Sequence, residues 1–435
     1  MTRDGVQAKS RMTLLADSSI YTNNTYPRLT RHRNSYPSYP NTCLRRQSER
    51  TLHSSPHASI NMIRSRFRTD HHFTVSIFGC QYHADEPNPD KAALISRFDA
   101  LIQPAALRVE ELGQNDLPSK IWMSYWDSPQ SFKAWWERPE VQEFWVTLPL
   151  DSAGFWRETV SLPATRAMYM CNKWEPTGFG NCGELIDLTE RFGYWGSYRS
   201  RMTAQEDKFA TSLEAVPPPK AQTGEIRAGR TKITSFPDNL CVVVEGQDYS
   251  AVSGKEKKYW DDNFDGLAKQ WITNVMKGGP SRGLVSARAC HSFGGGKVPD
   301  ASHVDGANGT SHNGDSGKAY FPGLDYKRQA QILFWLDLSK MERMGREDKG
   351  HVKLRREFLA AYGPGGDMFG GELMLWVDLG VLKGEEMDAE YVGCYEGTGF
   401  LAYDGHPSFK SEAVEGKVKL PVFFDTPIES KPEEW

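Results

Sequence analysis

Residues 331–358, QILFWLDLSKMERMGREDKGHVKLRREF, read as a strand, a helix, a break and a second helix, and that order decides the fold. The opening run from Ile332 to Leu336 is short, apolar and aromatic, which suits a buried strand. Ser339 stands three residues before Glu342, a capping-box spacing in which each side chain satisfies a free amide of the first helical turn. Lys349-Gly350 then breaks the helix, and a second helix begins with His351 on its first turn. A side chain at that place can point into a cavity instead of along a packed face. A lone histidine at a helix start is ordinarily solvated or hydrogen-bonded without chemistry. No HxxxH, HExxH, CxxC or CxxCH pattern accompanies this one, so spacing gives no signature for zinc, a structural metal or covalently attached haem.

The same order occurs earlier in the chain. Residues 120–145, KIWMSYWDSPQSFKAWWERPEVQEFW, again give an aromatic strand ending in Asp, a helix with Ser near its start, a charged break and a second helix that reaches a Phe. Asp127 matches Asp337, and Phe144 matches Phe358. Strand-like runs head each copy: FTVSIFGCQY at 73–82, and 239–248, whose core is NLCVVVEGQD. The pattern predicts an α+β fold of two halves, each strand, helix, strand, strand, helix, strand, with helices packed on one face of an antiparallel sheet. At the place of His351 the first half carries Val141, so only the second half keeps a potential ligand.

Composition sets the outer limits. With 435 residues, 39% of them hydrophobic, the chain can build two sizeable cores. A formal charge of -4 gives no reason to expect nucleic acid or an anionic membrane surface as partner. No apolar run approaches the roughly 18 residues of a spanning helix, and the expected location is cytoplasmic. Seven scattered cysteines suit reduced thiols better than a disulfide framework. The 13 Trp, 17 Tyr and 21 Phe fit either large aromatic cores or an aromatic-lined cavity for a flat ligand.

Residues 1–69 are rich in Arg, Ser, Thr, Asn, Tyr and Pro with few acids, and are expected to be disordered or a leader segment, with Met62 as an alternative start. The first half is then expected at 70–216, a Pro-rich and basic linker at 217–238, the second half at 239–404 and a polar tail at 405–435. Residues 89–112 have helical spacing with Pro104 as a kink or break, and a long helix is expected from Gly254 to about Met276. The Gly-, Asp- and His-rich stretch 291–325 reads as a lid or a disordered loop, with His291, His303 and His312 solvated. Cys290-His291 offers an alternative ligand pair but lacks the surroundings of a thiolate-ligated monooxygenase.

Five motifs, GFWRE at 154–158, GYWGSYRSRM at 193–202, GQD at 246–248, KGHV at 349–352 and CYEGTGFL at 394–401, come in an order and spacing that resemble the haem-containing aldoxime dehydratases, over about 72–404. The resemblance implies a dimeric α+β barrel built from two ferredoxin-like halves and a homodimeric assembly. It implies ferrous haem b as cofactor and dehydration of an aldoxime, R-CH=N-OH, to a nitrile, the oxime nitrogen bound to iron. His351 would be the axial ligand, leaving the other face of the iron open. Arg201 matches the family's distal arginine, whose fork of donors suits an oxygen that gains charge as the N–O bond breaks.

Three further positions depart from the family's pattern. Glu245 stands where the family has a serine that bonds the oxime hydroxyl, Val377 where it has an acid–base histidine, and Arg166 where it has a glutamate. A buried charge is tolerable only when paired, so Glu245 is expected to face Arg166 or Arg201 across the haem and to carry the proton in the histidine's stead. The alternatives are a haem protein with altered chemistry on another N–O or N–N substrate, and a haem-binding protein without turnover.

Overall fold

The computed structural model describes residues 62–68, 70–187, 198–202, 209–293, 296–297, 320–363, 365–416 and 419–425, without the side chains of Ser200 and Arg201. The chain begins with β1 (Ile63–Arg66), β2 (His72–Gln81), α1 (Pro89–Ile102), β3 (Arg108–Gln114) and β4 (Ser119–Trp126). It continues through α2 (Pro129–Trp136), α3 (Pro139–Val146), β5 (Phe155–Pro163), β6 (Ala167–Cys171), β7 (Glu184–Asp187), α4 (Tyr198–Arg201) and β8 (Arg230–Ile233). The second set is β9 (Leu240–Asp248), α5 (Gly254–Asn263), α6 (Asp265–Gly278), β10 (Leu284–Ser292), β11 (Arg328–Trp335), α7 (Leu338–Glu347), α8 (Lys349–Tyr362) and β12 (Met374–Leu382). Strands β13 (Met387–Val392) and β14 (Ser411–Ala413) follow.

All of the strands join one antiparallel sheet in the order β14-β8-β13-β5-β2-β4-β3-β10-β11-β9-β12-β6-β1-β7. Within it, β5-β2-β4-β3 and β12-β9-β11-β10 are the same order of fourth, first, third and second strand, and the two sets meet edge to edge through β3 and β10. The strand that follows each set crosses to the other: β6 pairs with β12, and β13 with β5. A detail of packing repeats as well. Gly79 on β2 lies opposite Trp156 on β5, and Gly246 on β9 lies opposite Trp376 on β12. In each case a Cβ on the glycine would fall about 2 Å from the indole, 2.2 Å from Trp156 and 2.0 Å from Trp376, so a ring lies flat on the strand where only hydrogen fits.

Side chains alternate along the strands. One face, carrying Ile77, Met123, Trp156, Val244, Ile332 and Trp376 among others, feeds a single core shared by both sets. The opposite face is covered by helices. In the first set Phe78, Trp122 and Trp126 pack under α1–α3 with Trp135, Trp136 and Trp145, all at most 2% exposed. In the second set Val243, Leu333, Trp335, Leu379 and Val381 lie under α6 and α7. Among the described residues no helix is long and apolar enough to cross a membrane.

Several expectations change. The helix cap at the start of α7 is Asp337, whose carboxylate accepts from Lys340 N at 3.0 Å and from Ser339 Oγ, so the expected Ser339 cap serves Asp337 instead. Helix α1 stops at Ile102, just before Pro104, and 108–114 extend as β3. The long helix breaks at Phe264, whose ring is pulled into a cluster with Trp260, Phe358 and Tyr362. Ile63–Arg66, placed in the expected leader, pairs with β6 and β7. Phe409 and Phe424, in the expected polar tail, are fully buried. His291 is not solvated: it lies on β10, 5% exposed, stacked on Tyr326 at 3.6 Å. His303 and His312 are outside the described residues.

Candidate functional site

Helix α8 starts because Asp348 closes it. Asp348 ends α7 and caps α8 at once: its Oδ1 accepts from His351 N at 2.7 Å, and its Oδ2 accepts from Asn274 of α6 at 2.7 Å. That pair of bonds fixes the first turn of α8, and with it the ring of His351, over the sheet. His351 Nδ1 donates to Gly345 O at 3.0 Å, in the last turns of α7. The proton therefore sits on Nδ1, and among the described residues Nε2 makes no hydrogen bond. The Trp271 indole of α6 stacks on the imidazole, centroids 3.9 Å apart and planes 16° apart, which covers a ring face and leaves the Nε2 edge open. Burial pulls the imidazole pKa below its usual value, and the bond to Gly345 opposes that only in part. A neutral ring with one free lone pair is the form that binds a metal.

His351 lines a cavity of about 490 Å³ between the helices and the sheet. Its walls are mainly aromatic and aliphatic, with Trp260, Trp335, Leu354, Phe358 and Leu375, and Arg346 and Arg355 bring guanidinium charge to it. Its floor is a row set by strand register, in which Val377 of β12 lies opposite Glu245 of β9, and Glu245 opposite Gln331 of β11. Glu245 is partly open to the cavity, and its Oε2 accepts from Trp271 Nε1 at 3.0 Å. The protein packed around it pushes its carboxyl above the ordinary carboxylate range, with the Trp271 bond opposing.

In the first set of strands the corresponding space is filled by side chains. There the corresponding row is Arg157, Phe78 and Trp122, and the residue in the place of His351 is Val141, 1% exposed. Phe78 touches Phe98, Trp135, Trp136 and Trp145. One copy is packed solid, and the other has a hole with a histidine and a carboxyl in it.

Residues 76–400 match the family model described as haem-containing dehydratase. The chain belongs to the haem-containing dehydratase family. It is 24% identical over 299 residues to phenylacetaldoxime dehydratase of Bacillus sp. (strain OxB-1), covering 67% of this chain and 76% of that protein. It is also 24% identical over 350 residues to aliphatic aldoxime dehydratase of Rhodococcus globerulus, covering 77% and 87%. A crystal structure of an aldoxime dehydratase in complex with butyraldoxime superposes with TM-score 0.62 at 19% identity, over 78% of this chain and 88% of that one. A second aldoxime dehydratase structure gives TM-score 0.61 at 18% identity over 81% and 94%, so the fold is that of these dehydratases.

For a member of the haem-containing dehydratases, the cavity suits the cofactor on chemical grounds. It offers a single neutral imidazole and flat apolar walls, with Arg355 and the Glu342-paired Arg346 also lining it. Of the expected site residues, the structure brings His351, Glu245 and Val377 to this one cavity. Arg201 ends α4, whose Tyr198 lines the cavity, but its side chain is outside the described residues. Arg166 is elsewhere. It sits at the corner between β5 and β6, paired with Glu386 at the corner between β12 and β13, and does not line the cavity. Burial raises the Glu386 carboxyl to about 7 even beside that guanidinium. The expected Glu245–Arg166 pair is thus replaced by Arg166–Glu386, because the β5–β6 turn carries Arg166 to a corner of the sheet. Cys290 lies in the shared core, its thiol pushed up to about 12 by burial, and neither it nor His291 lines the cavity.

Sequence reading passed over Trp271, Gly345, Asp348 and Gln331. Gln331 alone left a trace, a polar residue at the head of an apolar strand run; the others depend on which helix neighbours which. Asp348→Ala is expected to cost about 1 kcal/mol in stability through the lost cap, readable in chemical denaturation. By loosening the His351 turn it is expected to weaken haem affinity about tenfold, as loss of an outer partner does. An unchanged haem affinity would mean that Gly345 and Trp271 hold the ring without it.

Proposed function

We propose that the chain dehydrates an aldoxime, R-CH=N-OH, to the nitrile and water, using ferrous haem b held by His351. The observation that carries the reading is that His351, its Nδ1 held by Gly345 O and its Nε2 without a hydrogen bond among the described residues, lines one largely apolar cavity together with Glu245. When bound, haem supplies a metal that takes the substrate nitrogen and feeds electron density into the N–O bond. The protein's part is protons and orientation. The Glu245 carboxyl, whose pKa burial raises, hands its proton to the departing hydroxyl oxygen, and the carboxylate so formed is placed to take the C–H proton, which restores it. One proton leaves and one returns, and the products are nitrile and water with no net oxidation. Val377 gives the cofactor an apolar contact where the family's histidine would stand, and Arg201 is assigned to the substrate oxygen.

The assembly that goes with this reading is a homodimer of barrels. Support for barrel closure comes from the crossing of β6 and β13 between the two sets and from the core fed by both. The test is an ultraviolet-visible spectrum of the haem-reconstituted, reduced protein with and without phenylacetaldoxime, followed by nitrile analysis. A Soret band that shifts with aldoxime and yields nitrile is expected. A shift without nitrile would favour another N–O or N–N substrate, and no shift a haem-binding role.

A further inference from the structure

The floor of the cavity holds a second polar group that none of the assigned roles uses. Gln331 is 4% exposed, lines the cavity, and its Nε2 has no hydrogen-bond partner among the described residues. Its register partner on β9 is Glu245 and its register partner on β10 is Ala289, which offers no side-chain acceptor. Glu245 Oε2 is already engaged by Trp271. An amide buried without a partner costs free energy, and such a group survives in a core when something else satisfies it. The duplicated half makes the point sharper. The residue in the place of Gln331 is Trp122, opposite Phe78, so the same position in the same fold is satisfied by an aromatic ring when no ligand is to be held.

We infer that Gln331 is a substrate-contacting residue whose carboxamide hydrogen-bonds the oxime oxygen on the cavity floor and aligns it with Glu245. The inference rests on the dehydratase reading above. Adjacent positions on paired strands have Cβ atoms about 4.5–5.5 Å apart, so an oxygen lying between the two side chains is in reach of both. The division of labour follows from their chemistry. Glu245 can give and take a proton; Gln331 cannot, but its amide offers a donor and an acceptor and can present either end. A donor fixed beside the leaving oxygen holds more tightly as that oxygen gains charge, so its loss falls on kcat more than on KM.

The test is Gln331→Met, close in size and without a hydrogen-bonding amide, in full-length haem-loaded protein. An apolar replacement of similar shape leaves stability equal or higher, so haem content and melting temperature are expected to match those of the parent. The expected effect is a fall in kcat of about 100-fold with little change in KM. The ferrous carbon monoxide complex gives an independent readout. Loss of a donor on the open face of the haem is expected to move the C–O stretch to higher wavenumber. Should Gln331→Met fail to fold, Gln331→Asn, which withdraws the amide by one methylene, carries the same expectations. Parental kcat together with a parental C–O stretch would overturn the inference while leaving the dehydratase reading intact; a parent protein that binds no haem would remove both.

Discussion

His351→Ala is expected to give a folded protein that no longer retains haem. The substitution removes a ring stacked on Trp271 at 3.9 Å and a bond to Gly345 O at 3.0 Å, at a cost of about 1–2 kcal/mol to the fold. The cap at Asp348 uses the backbone amide of residue 351 and survives the change. Circular dichroism should therefore be unchanged, while the Soret absorbance per protein falls to background. The loss should exceed the roughly 10–100-fold that removing an outer partner of a ligand costs. His291→Ala is the matched control: His291 stacks on Tyr326 on another part of the sheet, and haem content should stay at the parental level. Haem retained by His351→Ala and lost by His291→Ala would reverse the assignment.

Glu245→Gln is expected to cut kcat by about 10²–10⁴, the range for loss of a positioned proton donor, with haem binding preserved. The Trp271 N–H can still donate to the amide oxygen, so the cavity floor keeps its shape. The pH dependence follows from the direction of the carboxyl shift. Burial holds Glu245 above its ordinary pKa, so the protonated form persists in the folded protein at pH values where an exposed glutamate has ionised. Activity that needs this proton is present below the raised pKa and is lost as pH rises through it. The parent should therefore show an alkaline limb in kcat that Glu245→Gln lacks. The same sign applies to stability: in the window between the unfolded and folded pKa values the fold binds the extra proton, so stability declines as pH rises, and Glu245→Gln should flatten that decline. An alkaline limb retained in Glu245→Gln would assign the proton to another group.

The repeat was readable from two strings, 120–145 and 331–358, because aromatic strands, helix breaks and the two glycine-bearing head strands follow local rules of period and turn chemistry. The strand order of each half, β5-β2-β4-β3 and β12-β9-β11-β10, agrees with that reading. Local rules were weaker at boundaries. Ser339 and Asp337 are both good caps, and only the geometry of the strand end chose Asp337. Phe264 breaks a helix that its own sequence would continue, because a cluster of rings from α8 gains from its burial.

The site divides along the same line. His351 was legible as a helix-start histidine, and the family motifs implied its role, while whether Glu245 meets Arg166 depends on tertiary geometry that the chain does not spell out. Residues 166 and 245 lie on strands or corners whose distance apart depends on how β5 turns into β6, and the turn takes Arg166 to Glu386. Sequence alone determined the two-fold plan, the histidine at the start of the last helix and the polar residues placed on strands, since these follow from period, caps and composition. Only the tertiary structure decided that Glu245, Gln331 and Val377 share one row and line one cavity with His351, and that the matching space in the other half is filled, because register between strands far apart in the chain is fixed by pairing, and pairing is a property of the whole sheet.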